Sequence, residues 1–99
     1  MQVKVQFSGG LELLFGGQKE ILASVPTPAG SAELTVRDVI AHIKDQHVNE
    51  RPEMFLQGET VRPGILVLVN DADWELCGGL DYCVEPNDCL TFISTLHGG

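Results

Sequence analysis

The chain has 99 residues, with six Lys plus Arg against fourteen Asp plus Glu and a formal net charge of −8. This length predicts one domain, and the 43% content of apolar residues is enough for a hydrophobic core and too high for a disordered chain. The negative charge argues against direct binding to nucleic acid or to an anionic membrane, because both need clustered Lys and Arg. We therefore expect a protein whose partners are other proteins.

The apolar runs are short, and the longest is residues 65–69. A transmembrane helix needs about 20 apolar residues, and the alternating N-terminus lacks the apolar core of a signal peptide. We therefore expect a cytoplasmic protein, small enough to reach the nucleus by diffusion as well. In that compartment Cys77, Cys83 and Cys89 are expected to be reduced thiols.

The first elements read as two strands. Val3, Val5 and Phe7 alternate with polar residues, which predicts a half-buried strand, and residues 8–10 (Ser-Gly-Gly) predict a turn. The apolar stretch 11–15 is interrupted by two glycines and resumes at residues 21–25. We predict that it forms an antiparallel partner strand with a bulge or a broken middle.

One helix is predicted after Thr35. Thr35 and Asp38 match a capping box in which Asp replaces the usual Glu. Four apolar residues follow at the spacing of one buried helix face: Val36, Val39, Ile40 and Ile43. We predict a helix of about three to four turns that ends at Pro52.

Residues 52–64 read as a long connector, and three further strands are predicted after it. Residues 65–69 are apolar on both faces, which predicts a central, buried strand. Residues 70–73 read as a turn, residues 74–76 as a short strand, and residues 90–95 as the last strand after a turn at 86–88. The predicted fold class is therefore α+β, with a mixed sheet packed on one main helix and with the first and last strands side by side at its centre.

Neither a metal site nor an active site is indicated. The three cysteines, six residues apart, fit neither the zinc spacing nor the plant ferredoxin spacing. His42 and His47 are five apart and do not share a helix face as i, i+4 ligands would, while Asp71 and Asp73 flank a turn. We expect no cofactor, no metal and no catalytic residue, and hence a substrate or carrier rather than an enzyme.

Residues 62–76 and 92–99 resemble the ubiquitin-related modifier (Urm) family, and residues 51–53 and 80–82 fit the same pattern. The cysteines are not part of it. The resemblance implies a ubiquitin-like β-grasp domain over residues 1–95 and a flexible C-terminal tail over residues 96–99, which ends in Gly-Gly.

The resemblance also implies a chemistry. An activating enzyme, an adenylyltransferase and sulfurtransferase that itself binds ATP, adenylates the carboxylate of Gly99 and then leaves a thiocarboxylate there. The sulfur passes to the enzyme complex that 2-thiolates the wobble uridine of cytosolic tRNAs. The activated end is also joined to lysines of target proteins.

The tail suits this chemistry. Gly98 and Gly99 have no Cβ, so their backbone fits a narrow site beside ATP, and four residues span at most ~14 Å. With Gly99 last, we expect the carboxylate to need no proteolytic maturation. His97 is expected to contact the activating enzyme rather than act as a base. Leu96 is expected either to anchor the tail in the docking site or to cap the edge of the core.

Two alternative functional hypotheses remain. A non-conjugated ubiquitin-like interaction module would bind partners through its sheet, and residues 54–56 could add to that surface or pack under the connector. The small subunit of molybdopterin synthase is a β-grasp sulfur carrier with the same terminus. Residues 70–74 and 95–99 favour the Urm family over it, and a free Gly-Gly end favours activation over docking alone.

Overall fold

The computed structural model describes residues 1–48 and 51–95. Seven strands and one α-helix follow one another along these residues: β1 (Gln2–Ser8), β2 (Glu20–Ser24), α1 (Val36–Gln46), β3 (Leu56–Gln57), β4 (Thr60–Val61), β5 (Ile65–Val69), β6 (Ala72–Asp73) and β7 (Cys89–Ser94). Four short 3-10 helices lie between them: Leu11–Phe15, Pro52–Met54, Trp74–Leu76 and Gly79–Asp81.

Five strands form one mixed sheet in the order β2-β1-β7-β5-β6. The pairing of β1 with β7 is parallel, and the other pairings in this sheet are antiparallel. The first and last strands are therefore neighbours at the sheet centre, as predicted. The α+β class, a mixed sheet packed on one main helix, is confirmed.

The core lies between the inner face of this sheet and α1. Four aromatic rings occupy its middle: Phe7 stacks on Phe15 at 3.8 Å between centroids, and Phe55 meets both Phe15 and Phe92 edge-on at 5.4 Å. All four predicted helix-face residues are buried, as are the three apolar residues of β1. Since Phe55 is fully buried, the middle of the 54–56 segment packs under the connector instead of forming a surface.

Helix α1 begins as predicted and ends earlier. The Asp38 carboxylate accepts from the Thr35 N–H at 2.9 Å, and the Thr35 hydroxyl accepts from the Asp38 N–H, so the capping box is present. Pro52 does not end the helix, because the N–H groups of His47 and Val48 both bond to the Ile43 carbonyl and close it after Gln46. Within the described residues, no helix is long and apolar enough to cross a membrane.

The predicted partner strand of β1 is confirmed in its second half, which forms β2 antiparallel to β1, but its first half and the predicted strand 74–76 are wrong. Residues 11–15 form a 3-10 helix, bounded on either side by glycines in the left-handed conformation, and bury Leu11 and Phe15. Residues 74–76 also form a 3-10 helix, because the Asp73 carboxylate accepts from the Glu75 N–H at 2.9 Å and caps the turn. The short strand is instead β6, immediately before it.

Strand β5 is not the central strand and is buried on one face only. Val67 and Val69 face the core, whereas Leu66, on the opposite face, is 38% exposed. The central position belongs to β7, which pairs with β1 on one side and with β5 on the other. The apolar outer residues of β5 therefore contribute to a surface.

A buried carboxylate fixes the start of β7. Asp88 is 7% exposed and accepts hydrogen bonds from the Tyr82 hydroxyl at 2.6 Å, the Asn70 side-chain amide at 2.7 Å and the Glu85 N–H at 2.8 Å. Asn70 in turn accepts from the Cys89 N–H. These bonds tie the β5–β6 turn to the loop that leads into β7.

These hydrogen bonds shift two pKa values. Burial disfavours the charged form of Asp88, but the bonds from Tyr82, the Glu85 N–H and Asn70 outweigh it and hold the pKa of this carboxyl below its usual value. The bond to Asp88 is also the main cause that raises the pKa of Tyr82 from 10.0 to about 12.

We predict a pH-dependent stability that the Tyr82→Phe variant lacks. At pH 7 the substitution leaves Asp88 without one donor and should cost about 1.5–3 kcal/mol of unfolding free energy, measured in urea. Because the folded pKa of Tyr82 is raised, its contribution is fully present below pH 10 and is lost as the pH rises through about 12. The gap between wild type and variant should shrink over that range.

The chain contains a single tyrosine, so its absorbance reports the titration of Tyr82 alone. A gap that stays constant from neutral pH to about pH 12 would contradict the assigned hydrogen bond.

Candidate functional site

The predicted reactive tail, Leu96, His97, Gly98 and Gly99, lies outside the described residues. The described structure ends at Thr95, directly after β7. Thr95 is therefore the residue from which the tail sequence continues.

That point lies in the middle of the sheet. Ile93 pairs with Ser8 of β1, and Ser94 pairs with Ile65 of β5, so β7 is paired on both sides up to Ile93 and with β5 up to its last residue. A chain that leaves a central strand leaves from the most constrained part of the sheet. The last described residues, Ser94 and Thr95, are therefore held to the core of the sheet.

A turn on the neighbouring loop holds Thr95. The Ile65 N–H bonds to the Arg62 carbonyl at 3.1 Å, and Gly64 has a φ of 97°, which is the geometry of a type II turn with Pro63 at its second position. The Gly64 carbonyl accepts from the Thr95 N–H at 2.8 Å and also from the Thr95 hydroxyl. We call this pair of hydrogen bonds the Thr95–Gly64 clamp.

The turn after β1 packs against the same strand end. Gly9 has a φ of 72°, and a Cβ placed on it would overlap the backbone carbonyl oxygen of Ser94. Only glycine allows this close approach. The β1 turn therefore supports the last residue of β7 from the side opposite to β5.

We predict that Gly9→Ala destabilises the protein by about 2–3 kcal/mol, because it adds both left-handed strain and a backbone clash. Gly10→Ala is the matched control, since Gly10 also has a positive φ, of 93°, but a Cβ there meets no atom within 4 Å. It should cost only about 1 kcal/mol. Urea unfolding measures both, and equal losses would contradict the close approach.

An apolar surface lies beside the strand end, on the outer face of the sheet. Leu66 lies opposite Ile93 across the β5–β7 pairing, and Leu68 lies opposite Thr91. Leu66 is 38% exposed, and Leu68 and Ile93 are half-buried. We call Leu66, Leu68 and Ile93 the outer-face patch.

The three cysteines are free thiols. Cys83 is exposed and its Sγ donates to the Glu33 carboxylate at 2.9 Å, a hydrogen bond that raises the pKa of the thiol. Cys77 and Cys89 are half-buried, and Cys77 packs against the core. Among residues 1–48 and 51–95, no group of three or more His, Cys, Asp or Glu side chains is placed to hold a metal ion.

The two helix histidines lie closer together than helical spacing predicts. Their ring centroids are 5.6 Å apart, because His47 caps the C-terminal end of α1 with a φ of −125° and leaves helical geometry. Burial and the neighbouring His42 both lower the pKa of His47. The two rings are therefore neighbours, although His47 lies at the C-cap and the pair does not have the i, i+4 arrangement on a helix face.

The supporting residues of this site were not found from the sequence. Gly9 and Gly64 read as ordinary turn residues, and Thr95 read as the end of a strand. Their contacts join segments far apart in the chain, since Gly64 and Thr95 have a sequence separation of 31. The Pro63-Gly64 pair is a local signal for a type II turn, but nothing local shows what its carbonyl would bind.

A mixed sheet on one main helix, with the first and last strands side by side at its centre, is the arrangement of a ubiquitin-like β-grasp protein. A family model described as Urm1 (Ubiquitin related modifier) matches residues 2–99. The chain belongs to the ubiquitin-related modifier family. Proteins of this family are substrates of activating enzymes and are not enzymes themselves.

Named relatives cover nearly the whole chain. Ubiquitin-related modifier 1 of Mus musculus is 54% identical over 98% of this chain and 94% of its own length. The solution structure of Urm1 from Trypanosoma brucei has 43% identity and a TM-score of 0.80, covering 99% of this chain and 95% of that one. The crystal structure of the BexX/CysO complex of Amycolatopsis orientalis contains a chain with 27% identity and a TM-score of 0.72, covering 98% and 99%.

Proposed function

We propose that the protein is a sulfur carrier that is adenylated and then thiocarboxylated at Gly99. Its sulfur serves the 2-thiolation of the wobble uridine in cytosolic tRNAs. The same activated C-terminus is conjugated, as a ubiquitin-like modifier, to lysines of target proteins. The partners are an ATP-binding adenylyltransferase and sulfurtransferase, the tRNA thiolation enzymes and the target proteins, and the proposed location is the cytoplasm, with entry into the nucleus by diffusion.

One observation carries the proposal: the Gly-Gly tail sequence follows directly from the central strand of the sheet. The domain over residues 1–95 offers a rigid body for docking, and the tail of residues 96–99 offers the reactive carboxylate. Four residues reach at most ~14 Å beyond Thr95, enough to enter a slot while the body stays outside.

The chemistry requires little from the body. The Gly99 carboxylate attacks the α-phosphate of ATP, which yields the acyl adenylate and pyrophosphate. The outer sulfur of a persulfide on the activating enzyme then displaces AMP and forms an acyl disulfide. A thiol attacks its S–S bond, which releases the thiocarboxylate and leaves a disulfide on the enzyme. Alternatively, a lysine amine displaces AMP and forms an isopeptide bond with loss of a proton. The activating enzyme supplies the ATP site, so this chain needs no cofactor.

The negative charge of the chain favours a pathway in which other proteins bind the tRNA. At −8, the chain would be repelled by the phosphates of a tRNA, so the thiolation enzymes hold the RNA and this protein delivers sulfur.

The outer-face patch is the proposed contact with the activating enzyme. It lies on the strands that lead to the tail, and Ile93 is two residues before Thr95. The solved BexX/CysO complex supports docking of a CysO-like chain on a protein partner.

The first test is incubation with the activating enzyme of the same organism, ATP and a sulfur donor. Intact-mass analysis should show one oxygen of the protein replaced by sulfur, and a variant that lacks Gly99 should not change. The mass change should survive reduction by dithiothreitol, which would remove a persulfide on any of the three cysteines.

Unaltered mass with an enzyme that modifies its own known substrate would contradict the carrier function. That result would favour an interaction module that binds through the sheet and is never activated.

The second test addresses the docking surface. Leu66→Glu should raise the KM for the protein in ATP–pyrophosphate exchange by about tenfold or more, because a charge replaces an apolar contact of roughly 1.5–3 kcal/mol. Leu22→Glu is the matched control: Leu22 is 61% exposed on the outer face too, but on the edge strand β2. Its KM should stay within about twofold of wild type, and equal effects of both variants would contradict the assigned patch.

A further inference from the structure

We propose that Thr95 is a positioning residue for activation, because the Thr95–Gly64 clamp determines how much of the C-terminal chain is free to enter the activating enzyme. This inference rests on the proposed function. It assigns a role in the reaction to a residue that precedes the tail and does not touch the reacting carboxylate.

The clamp combines two donors on one residue with one acceptor on a rigid turn. The Thr95 N–H and hydroxyl both reach the Gly64 carbonyl. That carbonyl belongs to the turn closed by the Arg62–Ile65 hydrogen bond, and the Arg62 N–H bonds in addition to the carbonyl of buried Phe55 at 2.9 Å. The acceptor is therefore fixed to the core through Phe55.

The clamp is the last attachment of the strand in the described structure. Ser94 is held by its pairing with Ile65 and by the close approach of Gly9, and Thr95 is the next residue. Thr95 itself is exposed, so its side chain contributes little to the core. A threonine at this exposed position is explained by the second hydrogen bond, which valine could not make.

The length of free chain affects the reaction. With the clamp closed, four residues extend at most ~14 Å from the body, and with Thr95 released, five residues extend to ~17 Å. A longer free segment lowers the effective concentration of the carboxylate at a slot of fixed distance, by about 1.4-fold from length alone. Loss of the fixed starting direction lowers it further.

Three substitutions of Thr95 vary the number of hydrogen bonds that residue 95 can donate to Gly64. Thr95→Ser keeps both donors, Thr95→Val keeps only the N–H, and Thr95→Pro has neither. Proline requires an extended residue before it, and Ser94 is already in a strand. All three variants should fold, because residue 95 is exposed and follows the last strand.

The readout is ATP–pyrophosphate exchange with the activating enzyme of the same organism, with kcat and KM determined separately. We expect Thr95→Ser to match wild type, Thr95→Val to lower kcat about two- to fivefold and Thr95→Pro about tenfold. The KM for the protein should change less than twofold, because the outer-face patch is intact. Amide hydrogen exchange at Ser94 should be faster in the valine and proline variants.

Four outcomes would overturn the role of the clamp. A kcat equal to that of wild type in all variants contradicts the clamp alone and leaves the proposed function standing. A rise in KM at constant kcat makes Thr95 a docking contact, and a serine variant as slow as valine makes its methyl group the important part. A wild-type protein that supports no exchange contradicts the proposed function, and the clamp's role with it.

Discussion

The parallel pairing of β1 with β7 is the constraint on which the rest of the structure depends. It brings the two ends of the chain together in the middle of the sheet, with Val5 opposite Leu90 and Phe7 opposite Phe92. All four residues are buried, so the pairing also supplies the centre of the core against α1. Because the last strand is central, the tail sequence is connected to the best-packed part of the domain and not to an edge.

Both ends of β7 are fixed by non-local hydrogen bonds. At its start, buried Asp88 binds Tyr82, Asn70 and the Glu85 backbone, and a buried carboxylate is stable only with such donors. At its end, Gly64 holds Thr95 and Gly9 allows a close approach to Ser94. A strand fixed at both ends holds Thr95 in one place relative to the core, and the proposed carrier function depends on the residues that follow Thr95.

Features with a local cause were predictable from the sequence. The capping box of Thr35 and Asp38, the buried face of α1 and the turn at residues 70–71 all follow from neighbouring residues. The segments 11–15 and 74–76 were not predictable, because short apolar stretches fit a strand or a 3-10 helix and burial decides between them. The Asp88 network and the Thr95–Gly64 clamp were missed because their partners are distant in the chain. The tail glycines were identified by resemblance, and the fold contributes the position from which they continue.

One exposed thiol bears on the chemistry proposed for the C-terminus. Cys83 donates a hydrogen bond to the Glu33 carboxylate. That bond raises the pKa of Cys83, which lowers the thiolate fraction of this exposed thiol. For the proposed activation at Gly99 a lower thiolate fraction is an advantage, because an exposed thiolate would compete with the sulfur donor for the activated carbonyl. The hydrogen bond from Cys83 to Glu33 therefore favours reaction of the proposed acyl adenylate with its sulfur donor over reaction with this thiol.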